Sequence, residues 1–221
     1  MPKYYDLIIF DWDGTLVDSQ AQIVKCMREA FIDRGLESPD YSAIRHIVGL
    51  SLEGAIARLA PQLDDPTRTS VADAYRDLAF ANSNHSTVPF SGVKTSLKYL
   101  RQCNLYLAIA TGKGRRGLDA ALTGSGLSGF FDISRCADET LSKPDPMMLE
   151  EILTDLNTDV EKAIMVGDTS YDIEMAQNIG MDSVAVTYGM HDEEHLRQYQ
   201  PDYLIHDITE IQNLVNRNPH V

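Results

Sequence analysis

Five short stretches of this sequence carry apolar runs: residues 7–10, 105–110, 163–166, 183–187 (Val184 to Val186 between Ser183 and Thr187) and 203–205. Each ends in a polar or glycine-bearing turn and is followed by a helical pattern. A strand wetted on one face alternates apolar and polar residues, whereas a continuous run needs cover on both faces, as in a parallel sheet. Helical spacing recurs over residues 92–101, 116–122, 147–156 and 170–179. Strand–helix alternation of this kind predicts an α/β fold with a doubly wound parallel-sheet core.

One segment breaks the alternation. About seventy residues after the first run contain no strand pattern. Ile23, Met27, Ala30 and Phe31 recur at helical spacing, as do Ala55, Ile56 and Leu59, and then Val71, Tyr75 and Leu78. Pro39, Pro61 and Pro66 punctuate these patterns, and the polar stretch 82–91 suits a return linker. The expected organisation is a core of residues 1–17 and 89–221 with a small helical cap inserted at 18–88.

Charge narrows the partners. Nineteen Lys and Arg stand against 33 Asp and Glu, a net charge of −14. Such a far field repels polyphosphate, which argues against nucleic acid and anionic membranes and requires that an anionic substrate be held by locally placed cations. Cys26, Cys103 and Cys136 form neither an even framework nor a CxxC pair, so buried free thiols are expected. No basic and apolar leader pattern is visible, and no apolar run is long enough to span a bilayer. A cytoplasmic protein, monomeric or weakly dimeric, is the expectation.

Four motifs sit at or just beyond the ends of predicted strands, where open α/β sheets bind ligands. The first is Asp11-Trp12-Asp13-Gly14-Thr15-Leu16. Its two acids, spaced i, i+2, leave an extended strand on one side, and Gly14 lets the chain turn. Trp12 between them should point into the core. The second is Ala110-Thr111-Gly112, where a hydroxyl and free N–H groups can cradle phosphate. The third is Lys143-Pro144-Asp145-Pro146, and the fourth is Gly167-Asp168-Thr169-Ser170-Tyr171-Asp172. Singly, each has an ordinary reading as a solvated turn, a helix cap or a surface lysine. Together they provide hard oxygen ligands for Mg2+, a carboxylate nucleophile, a hydroxyl donor and a counter-cation, the parts that phosphoryl transfer requires.

The ordered set DWDGTLVDS, ATG, SKPDP and GDTSYDIEMA resembles the haloacid dehalogenase (HAD) superfamily, and within it the helical-cap, phosphoglycolate-phosphatase-like branch. The similarity covers nearly the whole chain, with Ser91 where a proline is more usual. It implies a Rossmann-like core and hydrolysis of a small, phosphoglycolate-like phosphomonoester. Asp11 would attack phosphorus to form an aspartyl phosphate, and Asp13 would protonate the leaving group and then activate water. Mg2+ would be bound by the Asp11 carboxylate, the Asp13 backbone carbonyl and Asp168. Thr111 would hold a phosphoryl oxygen, Lys143 would offset negative charge, and Asp172 would orient Lys143 or a metal-bound water. Gly14 and Gly112 would support the turns.

Asp13 favours oxygen leaving groups, because the superfamily's dehalogenases and phosphonate hydrolases lack a carboxylate there. A sugar phosphomutase resembling β-phosphoglucomutase is the enzymatic alternative. Those enzymes carry a cap His where this chain has Ile23, and an arginine-bearing loop where it has Gly49-Leu50-Ser51-Leu52. A non-catalytic phosphate- or protein-binding descendant is the alternative of another class. Lys113, Arg115 and Arg116 crowd a helix start, where the dipole disfavours cations, which reads either as a solvated basic turn or as a place that recruits a substrate anion. Arg45 and Ser51 are further candidates for reading the leaving group. His46 and His85 are expected to be solvated.

Overall fold

The computed structural model describes residues 4–81 and 88–215. Six parallel strands form one sheet in the order β3-β2-β1-β4-β5-β6: β1 (Leu7–Phe10), β2 (Tyr106–Thr111), β3 (Ile133–Cys136), β4 (Ala163–Gly167), β5 (Asp182–Val186) and β6 (Tyr203–Ile205). The chain leaves central β1 toward β2 and β3, then returns to β1's other side for β4, β5 and β6. In register, Ile9 lies between Ala108 and Met165.

The uninterrupted apolar runs have the predicted cause. On β1, Ile8 and Phe10 join one buried layer with Val93, Leu97 and Leu100 of α5 (Val93–Gln102), Leu118 of α6 (Arg115–Ser125) and Ile211 of α10 (Ile211–Leu214). Leu7 and Ile9 join the opposite layer with Met148, Leu149 and Ile152 of α7 (Met147–Asp155) and Met175 and Ala176 of α8 (Ser170–Gln177). Alternate side chains of one strand thus feed two cores. Trp12 is fully buried in the first layer, edge-on to Phe131. All three cysteines are buried, and none forms a disulfide.

Strand β3 has no counterpart among the five predicted runs. Ser134 and Arg135 interrupt its apolar character, and its place at the sheet edge leaves its first three residues only half-buried. An edge strand needs no continuous hydrophobicity, so it leaves no such run in the sequence.

Between β1 and α5 lie α1 (Gln20–Asp33), α2 (Tyr41–Arg45), α3 (Leu52–Leu59) and α4 (Asp65–Ala81). They share a separate apolar cluster built on Ile23, Met27, Phe31, Ile44, Ile56 and Val71. Met190, from the loop between β5 and α9 (Glu193–Gln198), inserts into that cluster. Residues 82–87, including His85 and most of the expected return linker, lie outside the described residues. Val17 pairs with Pro89 where the chain re-enters the core. Among the described residues no helix is long and apolar enough to cross a membrane.

Candidate active site

The carboxyl ends of β1, β2 and β4 meet at the point where strand order reverses, which opens a crevice in a doubly wound sheet. Asp11 follows β1, with its N–H donating to the Val166 carbonyl at 2.9 Å. Asp168 follows β4, and Thr111 ends β2. All three are buried.

Lys143 joins the acids. Its Nζ donates to Asp11 Oδ1 at 2.6 Å and to Asp172 Oδ1 at 2.7 Å, and the lysine is only 2% exposed. Asp172 Oδ2 accepts from the Thr169 N–H at 3.1 Å and Oγ1 at 2.7 Å, completing a reciprocal cap at the start of α8. One carboxylate therefore both starts a helix and aims a lysine. Asp168 accepts from Thr15 Oγ1 at 2.8 Å and from the Met190 N–H at 2.7 Å.

Asp13 lies in the tight turn after β1, where the Gly14 N–H donates to the Val17 carbonyl at 3.0 Å. Gly14 has φ +86°, a region L side chains rarely adopt, and a Cβ there would collide with the Asp168 carboxylate. Asp13 Oδ2 pairs with Lys113 Nζ at 2.8 Å. Thr111 Oγ1 accepts from the Lys113 N–H at 3.2 Å.

Burial pushes Asp11 up to about 7; Lys143 opposes this, while the negative charges of Asp172 and Asp13 add to it. Burial and the charges of Asp11 and Asp172 also hold Asp168 well above the usual carboxylate range. Burial disfavours the charge on Lys143, but Asp11 and Asp172 outweigh it and hold the ammonium above its ordinary value. Lys113 behaves likewise and is pushed up to about 12, chiefly by Asp13.

Four carboxylates (Asp11, Asp13, Asp168, Asp172) face two ammonium groups (Lys143, Lys113), so the fully ionised site has two excess negative charges. Oxygens of Asp11, Asp168 and Asp172 come within 4.8 Å of one another. A cluster of hard donors with two unbalanced charges fits a divalent cation such as Mg2+. The raised carboxyl values give a pH test. A folded-state value above the unfolded one stabilises at low pH, and the contribution is lost as pH rises toward the folded value, for Asp11 between about 4 and 7. Thermal unfolding should therefore show Mg2+ raising Tm more at pH 8 than at pH 5. Equal shifts at both pH values would detach the metal from these carboxylates.

The helical segment reaches this crevice directly. Tyr171 Oη donates to the His46 carbonyl at 2.7 Å, Arg45 Nη2 to the Gly189 carbonyl at 3.2 Å, and the Ser51 N–H to Ser142 Oγ at 2.7 Å. A Cβ on Gly112 would come within 2.5 Å of the Gly49 and Leu50 carbonyls. Backbone cannot give way as a flexible side chain can, so Gly112→Ala should separate the two parts and lower kcat/KM at least ~10-fold. That figure corresponds to a clash of ~1–3 kcal/mol. Steady-state kinetics on wild type and variant checks it.

The cationic candidates divide. Lys113 and Arg116 line a cavity of about 420 Å³ that opens from Asp11, Asp13 and Thr111 toward the helical segment, and Ser51 lines it too. Arg115 does not. Its guanidinium is held by Glu139 at 2.7 and 2.8 Å and by Ser134, facing β3. Of the three basic residues expected at this helix start, Arg115 thus faces a carboxylate and not the cavity. Arg45 ties the helical segment to the core rather than lining the cavity. His46 is exposed, but it neighbours His191 and His195.

Residues 188–191 escaped the sequence analysis, although Met190 and Gly189 hold Asp168 and Arg45. His191 Nδ1 also accepts from the Ser170 N–H at 3.0 Å, and burial followed by its histidine neighbours pushes it down to about 4. Their place just after β5 was the available signal.

Residues 8–186 match the model of the haloacid dehalogenase-like hydrolases. The chain is 34% identical over 210 residues to the probable phosphatase IndB of Dickeya dadantii, covering 93% of this chain and 91% of that protein. It is 30% identical over 210 residues to the pyrophosphatase PpaX of Halalkalibacterium halodurans, covering 94% and 95%. The solved structure of a predicted phosphatase from Clostridium acetobutylicum superposes with a TM-score of 0.85 at 27% identity, over 95% of this chain and 97% of that one. The sheet order, the buried acidic cluster and these similarities converge: the chain belongs to the haloacid dehalogenase-like hydrolases, in their phosphatase branch.

Proposed function

We propose that the protein hydrolyses small phosphomonoesters with Mg2+, by way of a phosphoryl group carried on Asp11. The observation that carries this reading is the buried lysine shared by Asp11 and Asp172 beside Asp168, with Asp11 itself lining a cavity. In the first half-reaction an Asp11 carboxylate oxygen bonds to phosphorus as the bond to the ester oxygen breaks, and protonated Asp13 gives its proton to the departing alkoxide. In the second, Asp13 takes a proton from water as the water oxygen attacks phosphorus. Inorganic phosphate leaves and Asp11 is regenerated. Lys143 suppresses repulsion between the carboxylate and an anionic ester, and Thr111 donates to a phosphoryl oxygen. Bound Mg2+, held by Asp11, the Asp13 carbonyl and Asp168, would supply charge neutralisation at the phosphoryl oxygens.

In this reading residues 18–88 act as a cap that shields the site from bulk water, through the contacts of His46, Arg45 and Gly49 with the core. Lys113 has a role the sequence did not suggest: its ion pair with Asp13 positions the acid–base carboxylate. A phosphomutase reading is disfavoured by Ile23, which lines the cavity where those enzymes carry histidine.

The test is phosphate release from a panel of phosphomonoesters with and without Mg2+, joined to acid quench and peptide mapping. Metal-dependent release with label on the Asp11 peptide is expected. Release without that label, or label on another residue, would overturn the mechanism.

A further inference from the structure

We propose that the leaving group is an alcohol carrying an apolar, ring-sized body, and not a short hydroxy acid or a second phosphate. The proposal rests on the phosphatase reading above and concerns only what lies beyond the ester oxygen.

The cavity above Asp11 and Asp13 holds about 420 Å³, the size of sites that enclose whole small molecules. A two-carbon hydroxy acid would leave most of it to water. Most of its wall is apolar, from Ile23 and Met27 of α1, Tyr75 and Ala79 of α4, and Ala120 and Ala121 of α6, with Gln22, Ser51 and Glu53 among the polar residues that interrupt it. Burial pushes the Tyr75 hydroxyl up to about 12, so it is uncharged at neutral pH.

Among the described lining residues, two of the three cations are already paired with carboxylates. Lys113 is paired with Asp13 at 2.8 Å. Arg76 is held by Glu53, and by Asp73 at 2.9 Å. Arg116 lies over the Phe80 ring at 4.0 Å from its centroid, at the mouth where Phe80 is more than half exposed. A carboxylate or second phosphate on the leaving group needs a cation beyond those serving the transferred phosphoryl group, because a desolvated anion without a partner is strongly disfavoured. Here Arg116 is the one such cation among the described lining residues, and away from it an anion would lie against Ile23, Met27 and Ala79. An apolar ring gains from the same walls, with the Arg116–Phe80 pair closing over its outer edge.

The experiment compares kcat/KM of the Mg2+-loaded enzyme for ethyl, butyl and 2-phenylethyl phosphate, with phosphoglycolate, pyrophosphate and 4-nitrophenyl phosphate alongside. The three alkyl esters are all primary alkyl phosphates, so differences report contacts beyond the ester oxygen. Each methylene buried should raise kcat/KM about threefold to fourfold. Butyl should thus exceed ethyl about tenfold, and 2-phenylethyl should exceed both, phosphoglycolate and pyrophosphate. Ala120→Leu, which fills the cavity from α6, should lower the 2-phenylethyl to ethyl ratio at least tenfold. Ala79→Leu, from α4, repeats the test should the first variant fold poorly.

A flat alkyl series, an unmoved ratio in both variants, or preference for phosphoglycolate or pyrophosphate would overturn the leaving-group proposal and leave the phosphatase reading standing. No Mg2+-dependent release from any of the six, 4-nitrophenyl phosphate included, would overturn the phosphatase reading and this proposal with it.

Discussion

Asp11→Asn should lower kcat by at least ~10⁴-fold for every substrate, since loss of a nucleophile removes the covalent route and not merely an affinity. The fold should survive. Lys143 keeps its 2.7 Å contact with Asp172, and an amide fills the same volume as the carboxyl it replaces. Without metal, Tm at pH 8 should equal or exceed that of wild type, because one member of a mutually repelling buried set is gone. Phosphate-release kinetics with a thermal scan on the same sample measures both. Turnover within tenfold of wild type would remove Asp11 from the chemistry. A collapsed Tm would make it a structural residue instead.

The second large effect is on stability. Lys143→Met preserves bulk but leaves Asp11 and Asp172 buried without their shared cation, and breaking a buried pair on one side costs about 3–5 kcal/mol. For a chain of this length that is a fall in Tm of about 10 °C. The loss should be larger at pH 8 than at pH 5, because acid lets the stranded carboxyls neutralise at lower cost. It should also shrink in the double variant with Asp11→Asn, which removes one of the two stranded charges. Denaturant unfolding at both pH values is the measurement. A loss equal at both would assign the effect to packing and not to charge.

Much of this was written locally. The continuous run of residues 7–10 announces a strand covered on both faces, and the structure places Ile8 and Phe10 in one layer and Leu7 and Ile9 in the other. Acids just past the ends of β1 and β4 are legible because strand direction and side-chain alternation fix where they emerge. Strand β3 was not legible. At an edge, pairing with β2 replaces the need for an apolar run, and Ser134 and Arg135 read as loop.

Arg115 and Arg116 show the limit most plainly. Adjacent in sequence and alike in charge, they carried one expectation between them. One turned to Glu139, a residue 24 positions on, and the other to Phe80, which precedes it by 36. Lys113, beside them, paired with Asp13 a hundred residues away. By itself, the sequence determined the kinds of element, their order and the chemical types at each strand end, because these depend on local propensity and periodicity. Only the tertiary structure decided which cation meets which carboxylate, which glycine receives the helical segment's backbone, and that apolar walls stand above the nucleophile. Those pairings depend on distances between segments far apart in the chain, and a short-range pattern carries no record of them.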